Sequence, residues 1–200
     1  MSQNRKRFLI TQSLLSSWEW GLISDKGYED FLKTLERQPI QPTKAMLEGR
    51  RFENVLCSVL NGAEIEESHE WYKPITELQP VLQGAQQQVR LSRDLTVDGV
   101  NFVCYGVLDF LKAGIIYDTK YSKSYYTGKY FESPQTPMYF YLVPEAREFQ
   151  YKICDGKYVY TERYYPDEVE PIQQTIKHFM EFLDNLNLVK IYCDNWISKY

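Results

Sequence analysis

Two aspartates and a lysine near the middle of the chain have the residue types and spacing of a catalytic set. Asp109 follows one stretch of alternating apolar residues, and Asp118 and Lys120 lie in the next such stretch. Strand residues two apart share a face, so Asp118 and Lys120 point to one side and Thr119 to the other. If the Ala113-Gly114 pair forms a two-residue turn, Asp109 lies directly opposite Asp118.

Two carboxylates that face each other across a pair of strands destabilise the sheet. A protein tolerates them when a cation lies between them, and Mg²⁺ and Mn²⁺ are hard ions that prefer oxygen ligands. We therefore expect a metal-dependent active site with Asp109 and Asp118 as ligands. The alternative for Asp118 and Lys120 is an ion pair on a solvated edge strand, which stabilises a protein by only ~0–1 kcal/mol.

The composition is that of an ordinary folded protein. The length of 200 residues suits one domain, residues 1–200, and 44% of the residues are apolar and 25% charged. The net charge of −4 argues against a surface covered with basic patches. It leaves nucleic acid open as a substrate, because an enzyme can contact phosphate through a metal ion and a local cationic strip.

The four cysteines, at positions 57, 104, 154 and 193, match no zinc pattern. We expect free and mostly buried thiols in a reducing compartment. The apolar run after Arg5, Lys6 and Arg7 is too short for a signal peptide, and no run approaches the ~20 apolar residues of a membrane span. These observations predict a cytoplasmic protein without a membrane partner.

Apolar periodicity and turn signals predict the order of the secondary structure. Helices are expected at 12–20 with Ser13 as cap, at 28–36, and from the cap Thr43 to Leu60, whereas 65–83 looks irregular. Strands follow at 87–95, 100–111 and 115–121, and a helix runs from Ser133-Pro134 to Val143. Two more strands are expected at 147–154 and 157–164, joined by a turn at Asp155-Gly156, and a last helix begins at Pro171. This order predicts an α/β fold with a mixed β-sheet flanked by helices.

Several short motifs occur together in a characteristic order. They are Gly106-Val107-Leu108-Asp109, Tyr117-Asp118-Thr119-Lys120 and the pair Gln135 and Tyr139, preceded by Glu53 and by Thr11 to Trp18. Over roughly residues 10 to 142 this set resembles the PD-(D/E)xK nuclease superfamily, in its RecB-like and phage-type exonuclease form. The resemblance implies a restriction-endonuclease-like core with the order αβββαβ.

The resemblance also implies roles for these residues. Glu53, on the helix before the first core strand, and the carbonyl of Thr119 would join Asp109 and Asp118 as metal ligands. Lys120 would orient or deprotonate a water molecule, or neutralise charge at phosphorus. Gln135 and Tyr139 share a helix face and would lie at the cleft to place the substrate or Lys120. The alternatives are a solvated Glu53, and a capping Gln135 with a Tyr139 in the core.

The segment after Lys120 interleaves lysines with aromatic residues, which suits phosphate contact and base stacking along a strand of nucleic acid. The candidate substrate-binding residues are Lys123, Tyr125, Tyr126, Lys129 and Tyr130. The alternative is a tyrosine-rich loop that packs on its own sheet.

The resemblance therefore implies a Mg²⁺-dependent deoxyribonuclease, an exonuclease of DNA repair, recombination or phage DNA metabolism in a bacterial or phage-infected cell. The iron–sulfur members of the family carry a cysteine near the N-terminus, but no cysteine precedes Cys57, so we expect no cluster. The expected partner is DNA, with further copies of the chain or a separate recombination or helicase protein as additional candidates. A catalytically inactive DNA-binding or assembly module and an enzyme that acts on RNA are the alternatives.

Overall fold

A computed structural model describes residues 6–199, and a six-stranded mixed sheet lies at its centre. The strands are β1 Arg7–Thr11, β2 Gln86–Val97, β3 Val100–Lys112, β4 Ile115–Tyr121, β5 Glu148–Cys154 and β6 Val159–Tyr164. The helices are α1 Gln12–Gly21, α2 Asp25–Leu35, α3 Lys44–Leu60, α4 Tyr72–Leu82, α5 Gln135–Leu142, α6 Ile172–Asn185 and α7 Val189–Asn195. The predicted α/β class is confirmed.

The long strand β3 organises the sheet. β2 pairs with it in antiparallel fashion along almost its whole length and so occupies one edge. The other edge is shared: β1 runs parallel to Asn101–Tyr105, and β4 runs antiparallel to Phe110–Lys112. Between these two partners the segment from Gly106 to Asp109 has no strand on that edge, so β3 and β4 separate at Asp109. β4 continues beside β5 in parallel, and β5 pairs with β6 in antiparallel fashion.

Two hydrophobic cores flank the sheet. The larger core is built by α1, α2, α5, α6 and α7, with Phe31, Met138 and Phe179 among its fully buried side chains. The smaller core is built by α3 and α4, with Phe52 and Trp71 at its centre. The helices of the two cores approach the sheet from different sides, and both reach the point where β3 and β4 separate.

Strand β1 is held by β3 on one side and by the C-terminal segment on the other. It pairs with β3, and its Leu9 donates its N–H to the carbonyl of Trp196 at 2.7 Å. Leu9 also accepts a hydrogen bond from the Tyr192 hydroxyl at 3.0 Å. The C-terminal segment therefore completes the hydrogen bonding of the first strand.

Two hairpin turns and the cap of α3 are confirmed. Ala113-Gly114 and Asp98-Gly99 are two-residue turns with positive φ at both positions, as hairpins of this kind require. Thr43 caps α3 by accepting the N–H of Met46 at 3.2 Å. The four cysteines are free, as expected, with two of them buried and two half-buried. No helix among residues 6–199 is long and apolar enough to cross a membrane.

Several element boundaries were wrong. The region expected to be irregular contains α4, because Pro74 lies in the first turn, where no N–H is needed, and Ile75 and Leu78 pack into the smaller core. Strand β1 and helix α7 were not predicted, since each is short and gives little periodicity.

Other differences lie at the ends of elements. Thr11, rather than Ser13, caps α1, and α2 begins at Asp25 after the cap Ser24. Strand β6 starts at Val159, because the Asp155 carboxylate accepts the N–H groups of Lys157 and Tyr158 and lengthens the connection.

Gly106 allows α5 to approach β3 closely. A Cβ at this position would lie 2.6 Å from a ring carbon of Tyr139 and 2.9 Å from a methyl group of Leu142. The Tyr139 hydroxyl donates to the carbonyl of Val107 at 2.6 Å, on the edge of β3 that has no strand. The absence of a side chain at Gly106 therefore lets Tyr139 take the place of a strand at this edge.

Gly106→Ala should lower the free energy of unfolding by about 1–3 kcal/mol, because the added methyl group displaces Tyr139 and Leu142. Urea denaturation of the purified protein measures this change. The matched control is Gly49→Ala in α3, where a Cβ meets nothing within 4 Å. This control should raise the stability by about 0.5–1 kcal/mol, since glycine inside a helix is unfavourable. Equal stability of Gly106→Ala and the wild type would contradict this packing.

Candidate active site

The site lies where the β3–β4 hairpin opens. The last paired residues are Phe110 and Tyr117, so Asp109 and Asp118 are the next residues along the two strands. No strand-to-strand bond forms there. Instead, Oδ2 of Asp109 accepts the backbone N–H of Thr119 at 3.0 Å, and the Thr119 hydroxyl lies 3.3 Å from the same oxygen. A carboxylate thus replaces the missing carbonyl of the ladder and brings two acidic side chains together.

Asp118 is 1% exposed and is held by two neighbours. Gln135 on α5 donates its side-chain N–H to Oδ2, so this glutamine reaches the site from the larger core. Oδ1 lies 2.6 Å from Nζ of Lys120. No described residue gives Oδ1 a well-aligned hydrogen bond, although the atom is buried. Asp118 therefore keeps one oxygen poorly satisfied, and the charge of Lys120 is its main compensation.

The carboxyl groups of the site resist ionisation. Burial, followed by the charge of Asp118, raises the pKa of Asp109 to about 8. Burial also raises the pKa of Asp118, against the opposing effects of Lys120 and Gln135. Burial and the charge of Asp118 raise the pKa of Glu53. Three carboxyl groups that oppose each other's ionisation form a site that a cation would stabilise.

Lys120 stays protonated in this surrounding. Burial by itself lowers the pKa of its ammonium group, but the charge of Asp118, followed by Tyr151 and Asp109, outweighs burial and raises the pKa above the ordinary value. Its Nζ lies 5.7 Å from the centre of the Tyr151 ring. In this state Lys120 is a fixed positive charge and a poor acceptor of protons.

Glu53 reaches the same region from α3. Its Oε1 accepts a hydrogen bond of 2.7 Å from the side-chain amide of Gln88. Gln88 lies between the pairs Gln87–Phe110 and Val89–Leu108, which puts it opposite Asp109. Its φ of 52° is left-handed, unlike the rest of the strand. Gln88 was not singled out from the sequence, because a glutamine in an alternating strand carries no signal of such a backbone.

Tyr139 is 2% exposed, and its ring packs over Gly106. Burial and the charge of Asp118 raise the pKa of its hydroxyl, so this end of the side chain lies next to the acidic residues. Gln135 contacts Asp118 directly, whereas Tyr139 combines a core ring with a hydroxyl that supports the open edge of β3.

Glu19 on α1 borders the site on another side. Burial and the charge of Glu132 raise the pKa of Glu19 to about 7, while the positive charge of Lys120 acts in the opposite direction. Glu19 was not among the residues predicted for the site. A glutamate next to Trp18 on an amphipathic helix gives no sign of a neighbour more than a hundred positions away.

A buried glutamate fastens the loop that follows β4. Glu162 on β6 is 8% exposed, and its Oε1 accepts the Tyr125 hydroxyl at 2.8 Å and the Gly128 N–H at 2.7 Å. Its Oε2 accepts the Tyr164 hydroxyl at 2.7 Å. Three donors satisfy one carboxylate, and two of them belong to the loop. Glu162 therefore sets the path of the loop beside the site.

The five residues proposed to bind substrate occupy different positions. Tyr125 packs on Tyr160, and Tyr130 packs on Tyr151 with ring centres 4.9 Å apart, so these two support the loop itself. The side chain of Tyr126 is outward, with 65% exposure.

The two lysines of the loop have partners on the protein. Lys123 forms an ion pair with Glu48 on α3 at 3.1 Å, and Lys129 contacts the Ser122 hydroxyl at 2.8 Å. These contacts connect the loop to α3 and to the end of β4. Lys123 is exposed and Lys129 half-buried.

The donor set fits a hard divalent cation in type, because Asp109 and Asp118 supply adjacent carboxylates and one buried oxygen is poorly satisfied. The three predicted acidic ligands, Glu53, Asp109 and Asp118, do not come together around one point. Among residues 6–199, no three histidine, cysteine, aspartate or glutamate side chains lie close enough to hold one ion. Glu53 is directed to Gln88 and would have to complete the set by a small rearrangement.

Comparison with known proteins identifies the fold. No family model matches the chain, and no curated protein matches it either. The solved structure of SSO0001 is similar to it with a TM-score of 0.55 and 14% identity, over 92% of this chain and 80% of that one. LHK-Exo in complex with dAMP is similar with a TM-score of 0.50 and 14% identity, over 88% of both chains. This chain has a nuclease-like fold.

In the metal-free protein, Asp109→Asn should raise the free energy of unfolding by about 1–2 kcal/mol, because the amide still accepts the Thr119 N–H and carries no charge. In the unfolded chain Asp109 loses its proton above pH 3.8, whereas in the folded wild type its pKa is about 8. The wild type therefore loses stability as the pH rises from 3.8 toward about 8. The advantage of the variant should therefore grow between pH 5 and pH 8.

Denaturation in EDTA at several pH values measures this difference. The control is Asp167→Asn, an exposed carboxylate, which should leave the stability unchanged. A variant that is less stable than the wild type at pH 8 would show that Asp109 is stabilising rather than strained.

Glu162→Gln should speed hydrogen exchange at the Gly128 amide by at least about tenfold, since a hydrogen bond to a charged group contributes about 1.5–3 kcal/mol. Exchange followed by mass spectrometry measures the loop peptide. Glu181→Gln, on the exposed face of α6, is the control and should leave exchange in the loop unaltered. Unchanged exchange in Glu162→Gln would mean that the loop is fixed by other contacts.

Proposed function

We propose that this chain is a metal-dependent DNA nuclease of the PD-(D/E)xK type that hydrolyses phosphodiester bonds. The observation that carries the proposal is the position of Asp109 and Asp118 directly after the last pair of the β3–β4 hairpin, with the ammonium group of Lys120 at 2.6 Å from Asp118. A buried and a half-buried carboxylate with raised pKa values, together with a retained lysine, are costly to a fold. Hydrolysis of a phosphate ester would account for the position of Asp109, Asp118 and Lys120 next to one another.

Asp109 and Asp118 would hold Mg²⁺ or Mn²⁺, with Glu53 and the carbonyl of Thr119 as further ligands. Such an ion lowers the pKa of bound water and neutralises charge on the phosphate. The fold supports the orientation of this set, because Gln135 holds one oxygen of Asp118 and the ammonium group of Lys120 lies against the other. The Thr119 N–H holds Asp109 in the same way.

Lys120 acts through its charge. Since the charge of Asp118 raises the pKa of Lys120 despite burial, the ammonium group persists near neutral pH. It therefore stabilises the negative charge that develops on the phosphate, and is unsuited to removing a proton from water. Of the roles open to this lysine, charge neutralisation has the best physical support.

DNA is the favoured substrate and an exonuclease the favoured activity. LHK-Exo, one of the similar structures, bears the name of an exonuclease and contains the deoxynucleotide dAMP. The loop after β4 offers Lys123, Lys129 and the exposed ring of Tyr126 next to the site, which suits phosphates and an unpaired base. A place in DNA repair, recombination or phage DNA metabolism is part of the proposal.

The decisive assay uses the purified protein with end-labelled linear DNA and closed circular DNA, each single- and double-stranded, in Mg²⁺ or in EDTA. We expect loss of the linear substrates in Mg²⁺ and no cleavage in EDTA. Cutting of circles would make the protein an endonuclease, and faster cutting of a matched RNA strand would make RNA the substrate.

The site is tested with Asp118→Asn and Lys120→Met. Each should lower the cleavage rate by at least about 100-fold, because each removes a charge that the transition state requires. Lys190→Met on α7 is the matched control, since its side chain is 86% exposed and pairs with Asp194. Circular dichroism of all three proteins checks that the fold is kept.

Two results would overturn the proposal. Full activity of Asp118→Asn or Lys120→Met would place the chemistry elsewhere. A wild-type protein that binds DNA equally well in Mg²⁺ and in EDTA, and cuts nothing, would instead favour the binding or assembly module.

A further inference from the structure

Two adjoining cavities form a groove along one side of α5. The first has a volume of about 420 Å³ and the second a volume of about 210 Å³, and both are lined by Pro137, Val169 and Glu170. One wall consists of α5 and the segment before it, and the other is the connection between β6 and α6. Because the two cavities share three residues, a single extended ligand can occupy both.

The groove is largely apolar, and one aromatic ring in it is left in water. Phe131 is 67% exposed, and its ring centre lies 6.3 Å from that of the buried Tyr164. Phe140 and Ile172 continue the apolar lining into the second cavity. An exposed ring beside other apolar groups is stabilised when another molecule covers it. Phe131 therefore favours a ligand that carries apolar side chains.

Prolines stiffen both walls of the groove. They are Pro134 and Pro137 beside α5, and Pro166 and Pro171 in the β6–α6 connection. Proline fixes its own φ, so walls of this kind lose little conformational entropy when a ligand binds. The carboxylate of Glu168 adds to the rigidity, because it accepts the Tyr165 N–H at 3.2 Å within the connection. The groove therefore has its shape in the free protein.

The charge of the groove has one sign. Glu132, Glu168 and Glu170 line it, and among the described residues no lysine, arginine or histidine does so. Arg93 lies over the ring of the lining residue Tyr141, but its guanidinium donates to the Tyr141 carbonyl at 2.9 Å. Such a lining repels phosphate groups and attracts lysine and arginine side chains. The groove is therefore unsuited to a strand of nucleic acid.

We propose that this groove binds a basic segment of a partner protein, one that combines arginine or lysine with apolar residues. Its apolar side chains cover Phe131 and the α5 wall, and its cationic groups pair with the three glutamates. Arginine suits this place best, because its planar guanidinium can stack on an aromatic ring and bind a carboxylate at the same time. The inference goes beyond the proposed function and rests on the groove alone.

The test uses a short labelled peptide in which arginine and leucine alternate, and fluorescence anisotropy measures its binding to the full chain. Joint replacement of Glu132, Glu168 and Glu170 by glutamine should weaken binding by about 10-fold, because three attractive charges are lost. The glutamine at position 168 can still accept the Tyr165 N–H, so the connection keeps its fold. A peptide in which serine replaces leucine should bind the wild type at least about threefold more weakly.

The matched control replaces Glu64, Glu66 and Glu67, which are exposed in the connection before α4, by glutamine. It changes the net charge by the same amount and should bind the peptide like the wild type. Phe131→Ala should weaken binding at least about threefold, since the ring no longer covers the peptide. Tyr158→Ala, which removes a ring of 64% exposure between β5 and β6, should leave binding unaltered.

Four results would overturn the inference. The first is a wild-type protein that does not bind the peptide. Equal weakening by the two triple variants would mean that the peptide responds only to the overall negative charge. Loss of affinity for a labelled single strand of DNA in the groove variant would make nucleic acid the occupant. A wild-type dimer that becomes monomeric in the groove variant, as measured by light scattering, would make a second copy of the chain the occupant.

Discussion

The early end of the β3–β4 ladder is the constraint on which the site depends. Only the pairs from Phe110–Tyr117 to Lys112–Ile115 form before the strands separate. Had pairing continued, the carbonyl and N–H groups of the next residues would satisfy each other. Because it stops, the Thr119 N–H is satisfied by the Asp109 carboxylate, and Asp118 turns to partners outside the ladder. The same opening that costs the sheet its hydrogen bonds creates the acidic pair.

The two hydrophobic cores make this opening possible. The smaller core carries α3, and with it Glu53, while the larger core carries α5, and with it Gln135. Tyr139 replaces a strand at the open edge of β3, and Gly106 provides the space for its ring. The acidic residues therefore lie at a junction between the two cores, where polar groups meet partners from both and each core remains apolar.

Much of this was predictable from local rules. The register that places Asp109 next to Asp118 follows from the turn at Ala113-Gly114, and the shared face of Asp118 and Lys120 follows from the period of a strand. Long-range contacts were not predictable in this way. The left-handed backbone of Gln88 and the three donors to Glu162 arise from tertiary packing, which leaves no trace in residue spacing. The spacing of Gln135 and Tyr139 left a cleft and a core position open for Tyr139, because both kinds of helix face have the same period.

The position of β1 has a consequence for the order of folding during synthesis. This first strand is hydrogen-bonded to β3 on one side and to Trp196, almost two hundred positions along the chain, on the other. The ribosome must release the chain at least as far as Trp196 before these bonds can form. Pairings of such sequence separation form slowly, because the chain entropy of a long loop is lost before the contacts are gained. The emerging chain consequently exposes this edge of β1 until Trp196 has been released.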